Sequence, residues 1–85
     1  MDSYVVEEVK PIGNLRLMVR FADGTSGEVH LKESHLKGVF ERLRDPAFFG
    51  KVHCEHGFVE WPEEIDLAPD AMYDEIKANG CWELT

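Results

Sequence analysis

The fold is decided by the stretch from residue 15 to residue 31, which reads LRLMVRFADGTSGEVHL. In its first seven residues, apolar side chains alternate with Arg16, Met18 and Arg20. A period of two is typical of a strand that is buried on one face only. The turn residues Ala22-Asp23-Gly24 follow, and a second alternating run comes after them. We therefore predict a β-hairpin over this stretch.

The register of this hairpin follows from the apolar residues on its two strands. A two-residue loop would place Phe21 opposite Ser26, which sets an apolar side chain against a polar one. A three-residue loop instead places Leu17 opposite Val29 and keeps both apolar sets on one face. It also puts Gly24 at the left-handed position of the loop, which glycine adopts at little cost. We predict the three-residue loop.

The segments on either side of the hairpin complete the first half of the chain. Residues 4–9 are rich in β-branched and aromatic side chains, which predicts a strand, and residues 11–14 are typical of a turn. Apolar residues recur at helical spacing between residues 36 and 43. Asp45 and Pro46 then match the N-cap and the first position of a short helix. The middle of the chain is therefore predicted to be helical in short pieces.

A second hairpin is predicted over residues 51–61, with a two-residue turn at His56-Gly57. In this register Trp61 lies opposite Val52 on a buried face, and Trp61 helps to complete the core. Pro62 ends the second strand because it has no N–H for the ladder. The opposite face of the hairpin carries His53, Glu55, Phe58 and Glu60.

The last predicted element is a helix from about Pro69 to Asn79, with Gly80 as its C-cap. Pro69 is suited to the start of this helix because its ring fixes a helical backbone angle. Taken together, the elements predict a mixed α+β fold with antiparallel strands in the order β-β-β-α-β-β-α. We expect a single small domain over residues 1–85.

The composition limits the partners and the compartment of the chain. Seventeen acidic side chains against nine basic ones give a formal charge of −8, so direct binding to nucleic acid or to an anionic membrane is not expected. No apolar run approaches the roughly 20 residues that span a bilayer, and the N-terminus has no signal pattern. Two cysteines are too few for a disulfide framework. We therefore expect a cytoplasmic protein.

Four segments, in this order, resemble the bacterial family called domain of unknown function 2442. They are VRFADGT at residues 19–25, VFERLRDPAFF at 39–49, VEWP at 59–62 and DLAPDAMY at 66–73. The resemblance implies a βββαββα domain like the N-terminal domain of a Nitrosomonas europaea protein. It implies no catalytic activity and supplies no functional residues. Some relatives carry a C-terminal helix-turn-helix domain and others resemble one half of a toxin–antitoxin-like pair, so DNA binding would have to come from a partner.

The histidines and cysteines form an incomplete metal-binding pattern. His53 and His56 have the spacing of half a zinc site, whereas a structural zinc ion takes four ligands. The hairpin register places Cys54 on the opposite face from His53, which favours a core position for this cysteine. The remaining candidates, namely His30, His35 and Cys81, lie elsewhere in the sequence. We predict no metal and no cofactor.

Carboxylates are frequent, but no set of acid, base and nucleophile converges in the sequence. Asp66 lies between two apolar residues just before the last helix, and its expected role is structural, as a cap on the helix entry. Asp23 has a similar structural role in the hairpin loop. We assign no catalytic residue.

Exposed aromatic side chains offer a basis for protein binding. Phe58 is expected on the polar face of the second hairpin, between His53 and Glu60, where a large apolar ring favours an interface. Trp82 lies in a short tail and is expected to pack back on the domain. The negative charge would also steer the chain toward a basic protein.

These observations lead to one principal hypothesis and two alternatives. The first is a non-enzymatic protein-interaction module, either the acidic, antitoxin-like partner of a small basic protein or a homodimer. One alternative is a small-ligand or metal-binding enzyme that uses His53, His56 and a nearby carboxylate. The other is a nucleic-acid adaptor that acts through a partner.

Overall fold

The computed structural model describes residues 4–32, 34 and 36–84, and it describes the side chain of each of these except Val39. Four strands form one sheet in the order β1-β2-β3-β6, and two short strands form a second sheet. The elements are β1 (Val6–Gly13), β2 (Arg16–Phe21), β3 (Ser26–Leu31), a 3-10 helix (Gly38–Arg44), α1 (Pro46–Phe49), β4 (Glu60–Trp61), β5 (Ile65–Asp66), α2 (Pro69–Asn79) and β6 (Cys81–Leu84). The predicted α+β class with mainly antiparallel strands is confirmed.

The central hairpin has the predicted three-residue loop. Leu17 is paired with Val29, and the backbone N–H of Phe21 donates to the carbonyl of Thr25 at 2.7 Å. Gly24 has a φ of +92°, in the left-handed region that glycine adopts readily. The apolar residues that alternate along β2 and β3 are buried. The alternating pattern therefore predicted correctly both the buried face of the hairpin and the register of its two strands.

The first strand starts later and runs further than the sequence indicates. It covers Val6–Gly13, so the prediction of a turn over residues 11–14 is wrong. Pro11 lies opposite Leu17 within the β1–β2 ladder, with a register shift after it. Proline is tolerated here because β1 is the edge strand of the sheet, where a missing N–H need not break the ladder. The turn itself falls at residues 14 and 15, and Leu15 takes a φ of 58°.

The middle of the chain is helical, as predicted, in two short pieces. The first is a 3-10 helix, and its apolar residue Leu43 is buried. The second is α1, where the Asp45 carboxylate accepts a hydrogen bond from the N–H of Ala47 at 3.0 Å and Pro46 occupies the first turn. The N-cap read from the sequence is confirmed. Phe48 and Phe49 of α1 are buried in the core.

The second hairpin keeps its predicted register but forms little sheet. His53 pairs with Glu60 in one isolated bridge, with both backbone hydrogen bonds at 2.9 Å. Residues 51–55 form no continuous strand, and the N–H of Gly57 donates to the carbonyl of Cys54 in a wider turn than expected. The strand at Glu60 pairs instead with β5, for which the sequence analysis predicted no strand. Trp61 ends this strand before Pro62, as predicted.

The helix α2 has the predicted bounds, with Gly80 at its C-cap in a left-handed conformation. Its N-cap is Ala68, and no side chain caps it. The prediction that Asp66 caps this helix is therefore wrong: Asp66 is an exposed residue of β5, paired through its backbone with Glu60. Pro69 occupies the first turn of the helix.

The tail after α2 forms a strand, which the sequence prediction missed. β6 pairs with β3 in parallel, so that Trp82 lies opposite Val29 and Leu84 opposite Leu31. Trp82 is half-buried against the core, in agreement with the expectation that it packs back on the domain. β3 and α2 approach so closely at Gly27 that a Cβ there would lie 2.6 Å from the carbonyl oxygen of Gly80.

The core lies between one face of the four-stranded sheet and the helices with the second hairpin. Trp61 is among its largest buried side chains, and its indole N–H donates to the carbonyl of Phe49 at 2.9 Å. This bond satisfies the one polar atom of the Trp61 side chain. Within residues 4–32, 34 and 36–84, no helix is long and apolar enough to cross a membrane.

Candidate functional site

The polar face of the second hairpin brings three of the predicted residues together with His56. The bridge between His53 and Glu60 places the Glu60 carboxylate beside both imidazoles. One Glu60 oxygen lies 2.6 Å from Nδ1 of His56, and the other lies 3.8 Å from Nε2 of His53. The Nδ1–H of His53 in turn donates to the carbonyl of Lys51 at 3.1 Å. We call His53, His56, Phe58 and Glu60 the hairpin cluster.

Two carboxylate–imidazole contacts and one ring contact hold the hairpin cluster together. The hydrogen bond that His56 donates to the Glu60 carboxylate, together with the negative charge of Glu60, raises the pKa of the His56 imidazole above its ordinary value. The ring of Phe58 lies 6.1 Å from that of His56 at an interplanar angle of 30°. Phe58 is half-buried, so it is less available to a partner than the sequence suggested.

The hairpin cluster does not have the geometry of a metal centre. Across the described ranges 4–32, 34 and 36–84, no group of three or more His, Cys, Asp or Glu side chains is placed to hold a metal ion. Cys54 is half-buried against the core, and burial raises the pKa of its thiol. Cys81 lies in β6, and His30 lies in β3. His35 lies outside the described residues.

The hairpin cluster belongs to a longer stretch, residues 52–76, which we call the acidic segment. It contains eight of the seventeen carboxylates and no lysine or arginine. All eight are exposed except Glu60, which is half-buried. They are Glu55, Glu60, Glu63, Glu64, Asp66, Asp70, Asp74 and Glu75. Four buried residues, Val59, Trp61, Ile65 and Leu67, fix the first half of this segment to the core.

Few of these carboxylates are neutralised within the chain. Glu63 forms an ion pair with Arg42 at 3.1 Å, and Glu60 contacts the two histidines. Among the described residues, Glu64, Asp66 and Asp74 make no ion pair. The acidic segment is therefore a source of uncompensated negative potential.

The open face of the four-stranded sheet, which we call the outer sheet face, has the opposite character. Most of its acidic and basic side chains are paired, either within a strand or across neighbouring strands. The ion pairs are Arg20 with Glu7 at 2.9 Å, Arg20 with Glu8 at 3.4 Å, Lys10 with Glu8 at 3.6 Å and Lys32 with Glu83 at 3.7 Å. The imidazole of His30 contacts the carboxylates of Glu28 at 2.8 Å and Glu83 at 3.8 Å. The hydrogen bond from His30 lowers the pKa of Glu28.

The chain matches the sequence profile of a known family. The sequence profile of the family described as "Protein of unknown function (DUF2442)" matches residues 6–78. The chain belongs to the DUF2442 family. Among curated proteins and among solved structures, no significant match was found. The match begins at β1 and ends within α2, so β6 lies beyond the residues that characterise DUF2442 in this chain.

The residues predicted to be structural in this DUF2442 chain lie in several elements: Asp23 and Gly24 in the hairpin loop, Trp61 in the core with Pro62 directly after it, Asp66 in β5 and Pro69 at the start of α2. Asp23 accepts hydrogen bonds from the Thr25 N–H at 2.9 Å and from the Tyr73 hydroxyl at 2.5 Å, which together lower its pKa to about 2. It thus connects the loop between β2 and β3 to α2. The Lys77 ammonium reaches the Thr25 hydroxyl at 3.4 Å and strengthens the same connection.

The sequence analysis missed the acidic segment as a unit, because it considered Asp66 only as a helix cap and Glu55 and Glu60 only as part of the hairpin face. The signal was present in the order of the charges. Twenty-five consecutive residues contain no lysine or arginine, between Lys51 and Lys77. Such a run can be read without a structure, although its anchoring by Trp61 cannot.

Proposed function

We propose that this chain is a non-enzymatic protein-interaction module that binds a basic protein partner through its acidic segment. The observation that carries this proposal is the segregation of charge. Negative side chains are paired on the outer sheet face, whereas on the acidic segment they are exposed and largely uncompensated. A surface of this kind raises the rate of encounter with a positively charged partner.

The rigid attachment of the acidic segment supports the same function. Carboxylates on a mobile tail lose conformational entropy on binding, whereas those of β4, β5 and α2 are already positioned by buried neighbours. The half-buried Phe58 adds an apolar contact beside them. We therefore expect a partner that combines several Lys or Arg residues with an apolar anchor.

We further propose that this partner is a small basic protein and that the two act as an antitoxin-like pair. The charge of −8 supports an inhibitor that covers a basic surface. Such an inhibitor needs no catalytic residues of its own. Its expected phenotype is relief of growth inhibition when both proteins are produced together.

The direct test is affinity purification of the tagged chain from its own cells at about 50 mM salt, followed by identification of the bound protein and a salt titration of the complex. We expect a protein of high isoelectric point that dissociates as salt approaches about 0.5 M, because screening at this ionic strength shortens the range of charge attraction to a few ångströms. The identified partner is then produced alone and bound to purified variants.

The acidic-segment variant carries Glu64→Gln, Asp66→Asn and Asp74→Asn, and it should weaken the purified complex at least about tenfold. The sheet-face variant, with Glu7→Gln, Glu8→Gln and Glu83→Gln, removes the same charge and should weaken it much less.

Equal weakening by both variants would show that only net charge matters and would contradict binding through the acidic segment. A chain that is monomeric and without a partner at low salt would contradict the interaction function. A chain that forms only a homodimer would contradict the basic partner.

A further inference from the structure

The edge of the four-stranded sheet at β1 is open along most of its length. β1 is the outermost strand, and in the described part of the chain its backbone bonds on that side only at Val6, whose N–H donates to the carbonyl of Gly57 at 2.8 Å. The exposed large apolar side chains of the described residues are Tyr4, Val5 and Ile12, which all lie on β1 or directly before it. Such an edge can extend its sheet with a strand from another chain.

The open edge offers the backbone groups of Val9. The N–H of Ala22, directly after β2, donates to the carbonyl of Val5 at 2.8 Å, so the even-numbered residues of β2 direct their backbone groups to β1. Glu8 and Lys10 lie opposite even-numbered residues and are therefore bonded to β2. Because the direction alternates along an antiparallel ladder, the N–H and carbonyl of Val9 point away from β2.

We propose that two copies of this chain pair edge to edge through β1, antiparallel and about a two-fold axis at Val9. The N–H of each Val9 then donates to the Val9 carbonyl of the second copy. The same register places Glu8 of one copy opposite Lys10 of the other, and the symmetry forms this contact twice. Side chains that face each other in this way lie close together, so the edge is complementary to itself in charge.

Other positions of the axis lose these contacts. An axis at Glu8 or at Lys10 would set like charges opposite each other and would use backbone groups that are already bonded to β2. An axis at Pro11 would have no N–H to donate in its central pair. An axis nearer the start of the strand would bring the second copy against Gly57, which covers Val6. Charge and backbone direction thus select the same register.

The exposed apolar side chains at the two ends of β1 meet in this arrangement. An axis at Val9 places Ile12 of the second copy opposite Val6, and Val5 lies beside that position against Gly57, where an added Cβ would be 3.4 Å from Cγ1 of Val5. Pro11 and the two register shifts of β1 confine the ladder to its centre. The contact is therefore small and closed, and we expect a dissociation constant of about 0.1–0.5 mM.

The dimer does not depend on the proposed basic partner, and it is tested on the isolated chain. Sedimentation equilibrium at about 150 mM salt should show the mass rise from one chain toward two between about 10 µM and 1 mM protein. Solvent exchange of the Val9 amide, measured by NMR, should slow about two- to fourfold over this range, because its N–H gains an acceptor. The amides of Glu8 and Lys10 should exchange at the same rate throughout, since they are bonded to β2 in both states.

The variants test the charge pairing and its register. Lys10→Glu sets a second carboxylate opposite Glu8 and should weaken the dimer about five- to tenfold. Exchanging the two charges, with Glu8→Lys added to Lys10→Glu, should restore it. Lys32→Glu is the matched control because it changes the net charge equally but lies after β3, away from β1, and it should weaken the dimer less than about twofold. Ile12→Ser, at an exposed position, should weaken it at least about threefold.

Four results would overturn the inference. One is the mass of a single chain up to 1 mM protein, and another is association that leaves the exchange of the Val9 amide unchanged. Equal weakening by Lys10→Glu and Lys32→Glu would show a response to net charge alone. Failure of the charge exchange to restore a folded variant would contradict the register. Where Lys10→Glu prevents folding, Ile12→Ser decides, and unchanged association in that variant would equally overturn the dimer.

Discussion

The outer sheet face and the acidic segment both carry exposed carboxylates, but those of the sheet are paired with cations and those of the acidic segment are mostly not. On the sheet, pairing between strands brings Arg20 within reach of Glu7 and Glu8, so both carboxylates have a cation beside them. On the acidic segment, the backbone is held by buried apolar residues, and Asp66 and Asp74 meet no cation among the described residues. A charged surface therefore indicates a binding site only when its charges are known to be unpaired. Paired charges mainly keep a surface soluble, whereas unpaired ones are available to a partner.

The largest expected effect comes from breaking the attachment of the acidic segment. Trp61→Phe removes part of a fully buried ring and the indole N–H that donates to the carbonyl of Phe49, which keeps only the longer bond from the Val52 N–H at 3.3 Å. We expect a loss of about 2–4 kcal/mol in the free energy of unfolding, measured by urea denaturation. Trp82→Phe is the matched control and should cost less than about 1 kcal/mol because that side chain is only half-buried. Equal costs would show that Trp61 does not anchor the segment.

A smaller effect is expected from salt. Repulsion among unpaired carboxylates destabilises the folded chain, so the urea midpoint of the natural sequence should rise between about 20 mM and 500 mM salt. The acidic-segment variant should be more stable than the natural sequence at low salt and should respond less to added salt. The sheet-face variant should instead be less stable at low salt, because it removes partners of Arg20 and Lys32. Shifts of the same sign in both variants would contradict the difference between the two regions.

The contact between the central hairpin and α2 should be visible as a displaced titration. The hydrogen bonds that Asp23 accepts from Tyr73 and Thr25 lower its pKa to about 2. A lowered pKa means that the stabilisation is present above the unfolded value near 3.8 and is lost as the pH falls through about 2. In Tyr73→Phe, the pKa of Asp23 measured by NMR should rise toward its ordinary value. An unchanged titration would show that the hydroxyl of Tyr73 does not hold this carboxylate.

The hairpin cluster should give the smallest effect, in the opposite pH direction. The pKa of His56 is raised by Glu60, so the stabilisation is complete below 6.5 and is lost as the pH rises through the higher folded value. In Glu60→Gln, the NMR titration of His56 should move down toward 6.5. Glu55→Gln should move it less, since Glu55 acts only through its charge. If the two variants gave the same titration, the contact at 2.6 Å would not be the cause.

The parts of the fold that follow from the sequence are those set by local rules. The central hairpin was predicted in its register because only one pairing buries both apolar sets, and α1 and α2 were predicted because Asp45, Pro69 and Gly80 are strong helix signals. β6 could not be predicted in this way. Its four residues become a strand only because β3 presents an open edge to them, which is a long-range property.

The candidate site was also predicted only in part, because local rules fix some of its residues and long-range pairing fixes the others. The register predicted for the second hairpin placed His53, Phe58 and Glu60 on one face. The bridge between His53 and Glu60 has that register. The exposure of Phe58 was overestimated because the turn is wider than two residues and its ring lies against His56. The predicted role of Asp66 as a helix cap was wrong because this residue belongs to β5, where it pairs with Glu60 of β4 before the helix begins.

The pairing of β6 with β3 also has a consequence for how the chain folds. The hairpins of β1 to β3 join neighbouring segments, whereas β6 meets β3 across roughly fifty residues, and such distant pairings form slowly because a long loop must close first. β6 is therefore expected to dock after the transition state. Substitutions at Leu84 should then mainly accelerate unfolding, while those at Val19 should mainly slow folding.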